Sequence, residues 1–352
     1  MRSDGEGAGC AEFPETPVFQ AVRTPGIHTS MSTSSSRCDG LSRGCSRRAQ
    51  GNIIDQPVPN AKGQKLVIIN ADDLGWSEGV NVGIFRAHRE GIVSSATLAA
   101  NMPAAEAALA ALKETPGFGV GVHLNACQGP PLSAMGLEVL AGPDGLMRST
   151  AMRIVWRSVS RPHLLWAIAA EFDAQIRWCL ERGLRPTHAD THRHLHYAVA
   201  GRYCIPGVFH IVAGLCRRYD IRFVRRLRER LPRDLMRTAP AKQRLISRAL
   251  TLQDWWNRRW AGSLFVTEGT LGIAHTGLID AAWLIRAAQA VRQGVTEIMV
   301  HPGLPDGLDP AQTRLLESRQ MELAALCDPA VRAAFASQGI QLVHYGQIRT
   351  NA

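Results

Sequence analysis

The sequence predicts an α/β protein built on a parallel sheet, with one domain large enough for a barrel and a tail ahead of it. Three observations carry this. Short apolar runs alternate with helical stretches, titratable residues stand where those runs end, and residues 1–60 differ in composition from all that follows. At 352 residues the chain can bury a full core, as one barrel-sized domain or as two smaller ones. The reading adopted is a single domain over 64–350 behind a disordered tail over 1–60.

The tail is rich in Gly, Ser, Pro and Arg, with runs such as STSSSR and RGCSRRAQG and no sustained apolar period. It lacks the continuous apolar core of a secretory signal, and Glu6, Glu12 and Glu15 argue against a transit peptide. Met31 offers a later candidate initiator. No stretch of the chain approaches the ~18 apolar residues of a membrane span.

Lys65 to Trp76, KLVIINADDLGW, opens the domain: Leu66 to Ile69 read as a strand buried on both faces, closed by Asp72 and Asp73. Adjacent carboxylates there repel each other and lose solvation, so a structure that keeps both ionised supplies a cation, commonly a metal. The plainer alternative is that Ser77 or one Asp caps the next helix, whose apolar face would be Val80, Ile84 and Ala87; this accounts for one acid at most.

A helix over Asn81–Glu90 ends at Gly91, a second strand runs from Ile92 to Asn101, and an Ala-rich helix follows from Pro103 to Lys113. Phe118 to Leu124 forms a third strand that ends in His123. A polar loop then leads to a long helical region with Trp156, Trp166, Phe172, Ile176 and Trp178 as core contacts, stopping at Gly183. Ile221–Arg228 is a basic strand or loop, and Pro232–Ser263 is a helical stretch rich in Arg and Trp, suited to a lipid surface or to ordinary packing. A helix from Asp280 to Gln293, a strand over Thr296–Val300 ending in His301-Pro302-Gly303, a helix over Pro310–Leu326 and a strand over Ile340–His344 complete the order.

The net charge of +10 is densest in Arg217–Arg237 and reads as a solvated basic face; no nucleic-acid motif accompanies it. The eight cysteines contain no CxxC pair, which argues against a zinc knuckle and for reduced thiols in a cytoplasmic setting.

Chemistry is densest in PTHADTHRHLHY, where His188, Asp190, His192, His194 and His196 fall within nine residues of a chain with 12 histidines. On a strand His192, His194 and His196 share a face; on a helix His188, His192 and His196 do. A solvated or pH-sensing His patch is the alternative. Strand ends therefore offer Asp72/Asp73, His123, the His cluster and His301. One carboxylate and two imidazoles facing an open position suit a catalytic divalent ion, with zinc first on ligand type, and a remaining acid and His can move protons.

The phrases NADDLG, VGVHLN, PTHADTHRHLH and VHPG, in this order and spacing, resemble the YdjC/ChbG-like carbohydrate deacetylases from about Lys65 to the C-terminus, and within them the hopanoid-biosynthesis-associated HpnK branch. The resemblance implies a distorted (β/α) barrel of the glycoside hydrolase/deacetylase type. It implies one divalent ion, Mg2+ or Zn2+, on Asp73, His123 and His192, with Asp72 as base and His301 as acid. Departures are the tail, the basic segment around Arg217–Trp260, and Leu146 where an aromatic often follows Asp-Gly.

The function expected is hydrolysis of an N-acetyl group from an amino sugar or sugar-bearing lipid, with no nucleic-acid partner and a peripheral membrane contact allowed. The alternatives are another metal-dependent amide or phosphoester hydrolase, and a basic metal-binding protein without turnover.

Overall fold

The computed structural model describes residues 63–349 apart from 162 and 198–206, together with the short strand Val58–Pro59. The expected tail over 1–60 lies almost wholly outside the described residues.

Among the described residues eight parallel strands form one sheet: β1 (Lys65–Leu74), β2 (Ser95–Leu98), β3 (Gly119–Leu124), β4 (His188–Thr191), β5 (Phe223–Val224), β6 (Gly269–Leu271), β7 (Gly294–Val300) and β8 (Ile340–Leu342). Their order is β5-β4-β3-β2-β1-β7-β6, with β8 beside the first residues of β1 and β2 beside the last. The sheet curls until its edges meet. The Thr270 N–H in β6 donates to the carbonyl of Arg228, just past β5, at 3.2 Å, and its hydroxyl donates to the Arg226 carbonyl at 2.9 Å. This is the α/β barrel-like architecture the strand–helix rhythm predicts.

The strands alternate in the way a curled sheet requires. Val67, Ile69, Ala96, Leu98, Val120, Val122, Ala189, Val224, Ile298 and Val300 point outward into one core shared with the helices. Leu66, Ile68, Phe223 and Val295 point inward and fill the floor of the barrel with Tyr345. Continuing the inward parity up each strand gives Asn70 and Asp72, Thr97, His123, His188 and Asp190, Arg225, Glu297 and His301. The inward set thus turns from apolar to polar towards the carboxyl ends, where barrel sites gather.

Helices cover the outside. Glu78–Arg89 begins at Ser77, whose hydroxyl accepts the Val80 N–H at 3.3 Å, so Ser77 rather than an Asp is the cap; Val80, Ile84 and Ala87 are buried as expected. Ala105–Leu112, Gly207–Arg218, Ala281–Ala290 and Glu317–Cys327 continue the pattern. The long helical region divides into Ala151–Ser160 and His163–Glu181.

Two expectations are corrected. Trp156 and Trp166 are 71 % and 60 % exposed instead of core. The inner stripe of the longer helix runs through Leu164, Ile168, Phe172 and Ile176, which Trp166 does not share, and Trp156 lies two residues, over half a turn, from buried Ile154 and Ser158. The Arg217–Arg237 segment is not simply a solvated face, because Arg225 and Arg226 are buried against carboxylates. A separate helix, Pro329–Ser337, and the three-residue β6 were not anticipated.

Candidate metal centre

Two consecutive strand residues ordinarily point to opposite faces, so Asp72 and Asp73 need a device to reach the same end of the barrel. The register between β1 and β2 shifts between Ala71 and Leu74, and Asp73 takes a left-handed backbone, φ +69°. This irregularity turns Asp73 inward beside Asp72, a use to which bulges are put next to active sites.

Asp73 Oδ1 then lies 3.4 Å from His123 Nε2 and 3.4 Å from His192 Nδ1, and those nitrogens are 3.3 Å apart. The outer nitrogens are already engaged. His123 Nδ1 is 2.6 Å from Asp190 Oδ1, and His192 Nε2 donates to Gln128 Oε1 at 2.8 Å. A neutral His123 with its proton on Nδ1, and His192 with its own on Nε2, both turn lone pairs toward a carboxylate oxygen that is buried and, among the described residues, has no hydrogen-bond partner. Three acceptors converging on one point call for a proton or a metal ion between them, and the residues present fit a divalent ion.

Charge is arranged to match. Burial opposes ionisation of Asp73, yet Arg319, whose Nη2 is 2.5 Å from Oδ2, acts with His123 and His192 to hold the carboxyl well below the usual range. Burial also opposes charge on His123, but Asp190, Asp73 and Asp72 push its pKa up to about 10. Without an ion, a proton occupies that ring.

Asp72, His123 and Asp190 form a second close group of donors. Its carboxylates are taken by Arg225, which is fully buried: Nη1 and Nη2 donate to both oxygens of Asp72 at 2.6 Å, Nη1 also lies 2.7 Å from Asp190 Oδ2, and Nε donates to Glu297 at 2.8 Å. One cation already answers these acids, which leaves Asp73, His123 and His192 as the group that can hold a metal.

His301 stands across from this set, with Nε2 4.0 Å from Asp72 Oδ2 and a buried Nδ1 that has no partner among the described residues. Burial, against the pull of Asp72 and Asp73, takes its pKa down to about 4. The remaining histidines diverge. His188 meets Asn70 at 3.1 Å and stacks on Tyr345, while His196 meets the Thr191 hydroxyl and the Arg225 carbonyl. His194 stands at a left-handed residue, φ +57°, in the 3-10 segment His192–Tyr197, its ring near Arg225, His196 and His301, so neither a plain strand nor a plain helix describes the cluster. Sequence reasoning assigned no role to Asp190, Arg225, Gln128 or Arg319; inward parity on β4 and β5 is the signal for the first two.

Beside His192 a cleft of about 340 Å³ opens, lined by Met102, Gln128, Leu146, Arg148, Arg193 and Gln312 among others.

Similarity to known proteins spans most of the domain. The family model described as YdjC-like protein matches residues 66–337, from the second residue of β1 to the end of the helix Pro329–Ser337. The chain belongs to the YdjC-like family. A carbohydrate deacetylase of Geobacillus stearothermophilus is 33% identical over 282 residues, covering 80% of this chain and 97% of that one. A chitooligosaccharide deacetylase of Enterobacter sp. (strain 638) is 32% identical over 79% of this chain and 97% of its own. A solved structure from Enterococcus faecalis V583, provisionally named for cellobiose-phosphate cleavage, superimposes with TM-score 0.62 at 22% identity, covering 80% and 98% of the two chains, and shares the fold.

Proposed function

We propose that this YdjC-like protein is a metal-dependent deacetylase that hydrolyses an N-acetyl group on an amino sugar. The observation that carries the reading is the unpartnered Asp73 oxygen facing two histidine lone pairs. Two imidazoles beside one carboxylate suit zinc better than magnesium, which is bound through carboxylates and waters. The deacetylase names of relatives matched over nearly their whole length support the reaction class.

When bound, the ion supplies Lewis acidity to the amide carbonyl and the attacking water. The chain's own groups move the protons. Asp72, oriented through both oxygens by Arg225, takes a proton from the water as its oxygen adds to the carbonyl carbon. His301 is neutral at pH 7 in the resting site, so it acts as an acid only after receiving a proton, and Asp72 Oδ2 at 4.0 Å is the near source. His301 then protonates the nitrogen as the C–N bond breaks, giving acetate and a free amine. The cleft beside His192 is where the sugar binds, with Gln128 shared between cleft and ligand.

The sugar-bearing-lipid form of the substrate, and with it the hopanoid setting of the HpnK branch, rests on the sequence resemblance alone. Acetate release from a panel of free N-acetylated amino sugars, chitooligosaccharides and N-acetylated glycolipids tests both levels. Release from none of them, by metal-loaded protein, would remove the proposal; release from glycolipids alone would select the lipid form.

A further inference from the structure

The helix Ala241–Ala261 is turned inside out. Its barrel side is polar: Ser247 donates to Glu229 at 2.5 Å, Asp254 accepts from the Tyr197 hydroxyl at 3.0 Å and pairs with Arg226 at 2.9 Å, and Asn257 is fully buried. Its outer side carries Leu245, Ile246, Leu252, Trp255, Trp256 and Trp260, which are 40–74% exposed. A helix facing only water does the reverse. Between these apolar groups stand exposed Lys242, Arg248, Arg258 and Arg259, and the helix's one acid, Asp254, is buried.

The chemistry of that face selects its occupant. Indoles beside guanidinium groups, with Arg259 4.3 Å from the Trp255 ring centre, match a bilayer interface, where aromatic rings sit at headgroup level and cations meet lipid phosphates. A second copy of this chain would bring the same cations against themselves in a twofold contact, which disfavours a dimer. Position adds a second argument. Thr251 accepts the N–H of Glu229 just past β5, and Gln243 donates to the Thr276 carbonyl just past β6, so the helix is tied to the barrel end that holds the site. The helix Ala151–Ser160 exposes Met152, Arg153 and Trp156, and both helices rest against the His192–Tyr197 segment.

We propose that the protein docks on an anionic bilayer surface through the outer face of Ala241–Ala261, which sets the mouth of the site at headgroup level. The functional consequence, action on a headgroup sugar, rests on the deacetylase reading above; the docking does not.

Full-length protein is sedimented with vesicles of phosphatidylcholine alone and of phosphatidylcholine with phosphatidylglycerol. Two variants are compared, Trp255→Ser with Trp256→Ser, and Lys242→Glu with Arg248→Glu and Arg258→Glu. All of these are surface residues, and native circular dichroism and acetate release from a soluble N-acetylated sugar confirm that they fold. The parent is expected to bind the anionic vesicles, and partition should fall about tenfold or more in each variant and on neutral vesicles. Absent binding by the parent, binding unchanged by both variants, or a dimer that the Trp variant dissociates would each overturn the proposal. Vesicle binding without acetate release from any N-acetylated sugar or glycolipid of the panel leaves docking standing and removes the deacetylase reading; acetate release without vesicle binding does the opposite.

Discussion

Asp190 places a carboxylate oxygen 2.6 Å from Nδ1 of His123, on the side of the ring facing away from Asp73. This contact fixes which nitrogen His123 presents to the candidate metal position. Asp190→Asn should therefore lower zinc affinity by about 10- to 100-fold while the ion still binds, as loss of a carboxylate behind a histidine ligand does. Competition titration against a fluorescent chelator reads the change. Unaltered affinity would mean that His123 is oriented by something else, Thr97 at 3.3 Å being the other group on that nitrogen.

Arg225 is the one guanidinium among Asp72, Asp190 and Glu297, all buried. Arg225→Met fills similar space but leaves three carboxylates without their cation, and should destabilise the fold by about 3–5 kcal/mol. Urea unfolding measures it. A loss below about 1 kcal/mol would place these acids in the protonated, uncharged state and undo the assignment of Asp72 as a proton acceptor.

Much of this was legible in the sequence, and the reasons for the rest are physical. Asp72, Asp73, His123 and His301 follow apolar runs, so their place at strand ends could be read directly, whereas His192 was marked by the density of its cluster, and the structure brings all five to one end of the barrel. Arg225 was hidden because β5 is only two residues long, too short for its parity to show against the basic residues around it. The inward turn of Asp73 depends on a left-handed backbone at a non-glycine residue, which no local pattern announces. The exposure of Trp156 and Trp166 runs against the burial expected of large aromatic residues, and helix phase alone reveals it.

Two buried histidines away from the triad predict acid lability. Burial lowers His188 to about 3 and His196 to about 4, whereas unfolded histidine titrates near 6.5. Folded pKa values below the unfolded one mean that this stability is fully present above about pH 6.5 and lost as pH falls toward 4, because the unfolded chain takes up protons first. The loss should be on the order of 2–3 kcal/mol per imidazole by pH 4.5. Chemical denaturation at pH 7 and pH 4.5 checks it, and His188→Gln should reduce the slope. Equal stability at the two values would show that these rings are protonated when folded.

Asp72 and His301 make no contact that a ligand must make, since Asp72 is held by Arg225 and His301 lies beyond it. Asp72→Asn and His301→Ala should keep the ion and lose about 10²- to 10⁴-fold in kcat. Metal analysis beside steady-state kinetics separates the outcomes. An ion lost from His301→Ala would move that residue into the coordination shell, and full activity would return it to a strand terminus.

The central claim is that Asp73, His123 and His192 hold an ion on which deacetylation depends. Its most direct test is acetate release from an N-acetylated chitooligosaccharide, measured on protein stripped by chelator, reloaded with zinc, and substituted Asp73→Ala. Release should vanish on stripping, return at about one equivalent of zinc, and stay absent in Asp73→Ala together with the bound ion. Undiminished release from the stripped protein, or zinc-restored release by Asp73→Ala, would contradict the account.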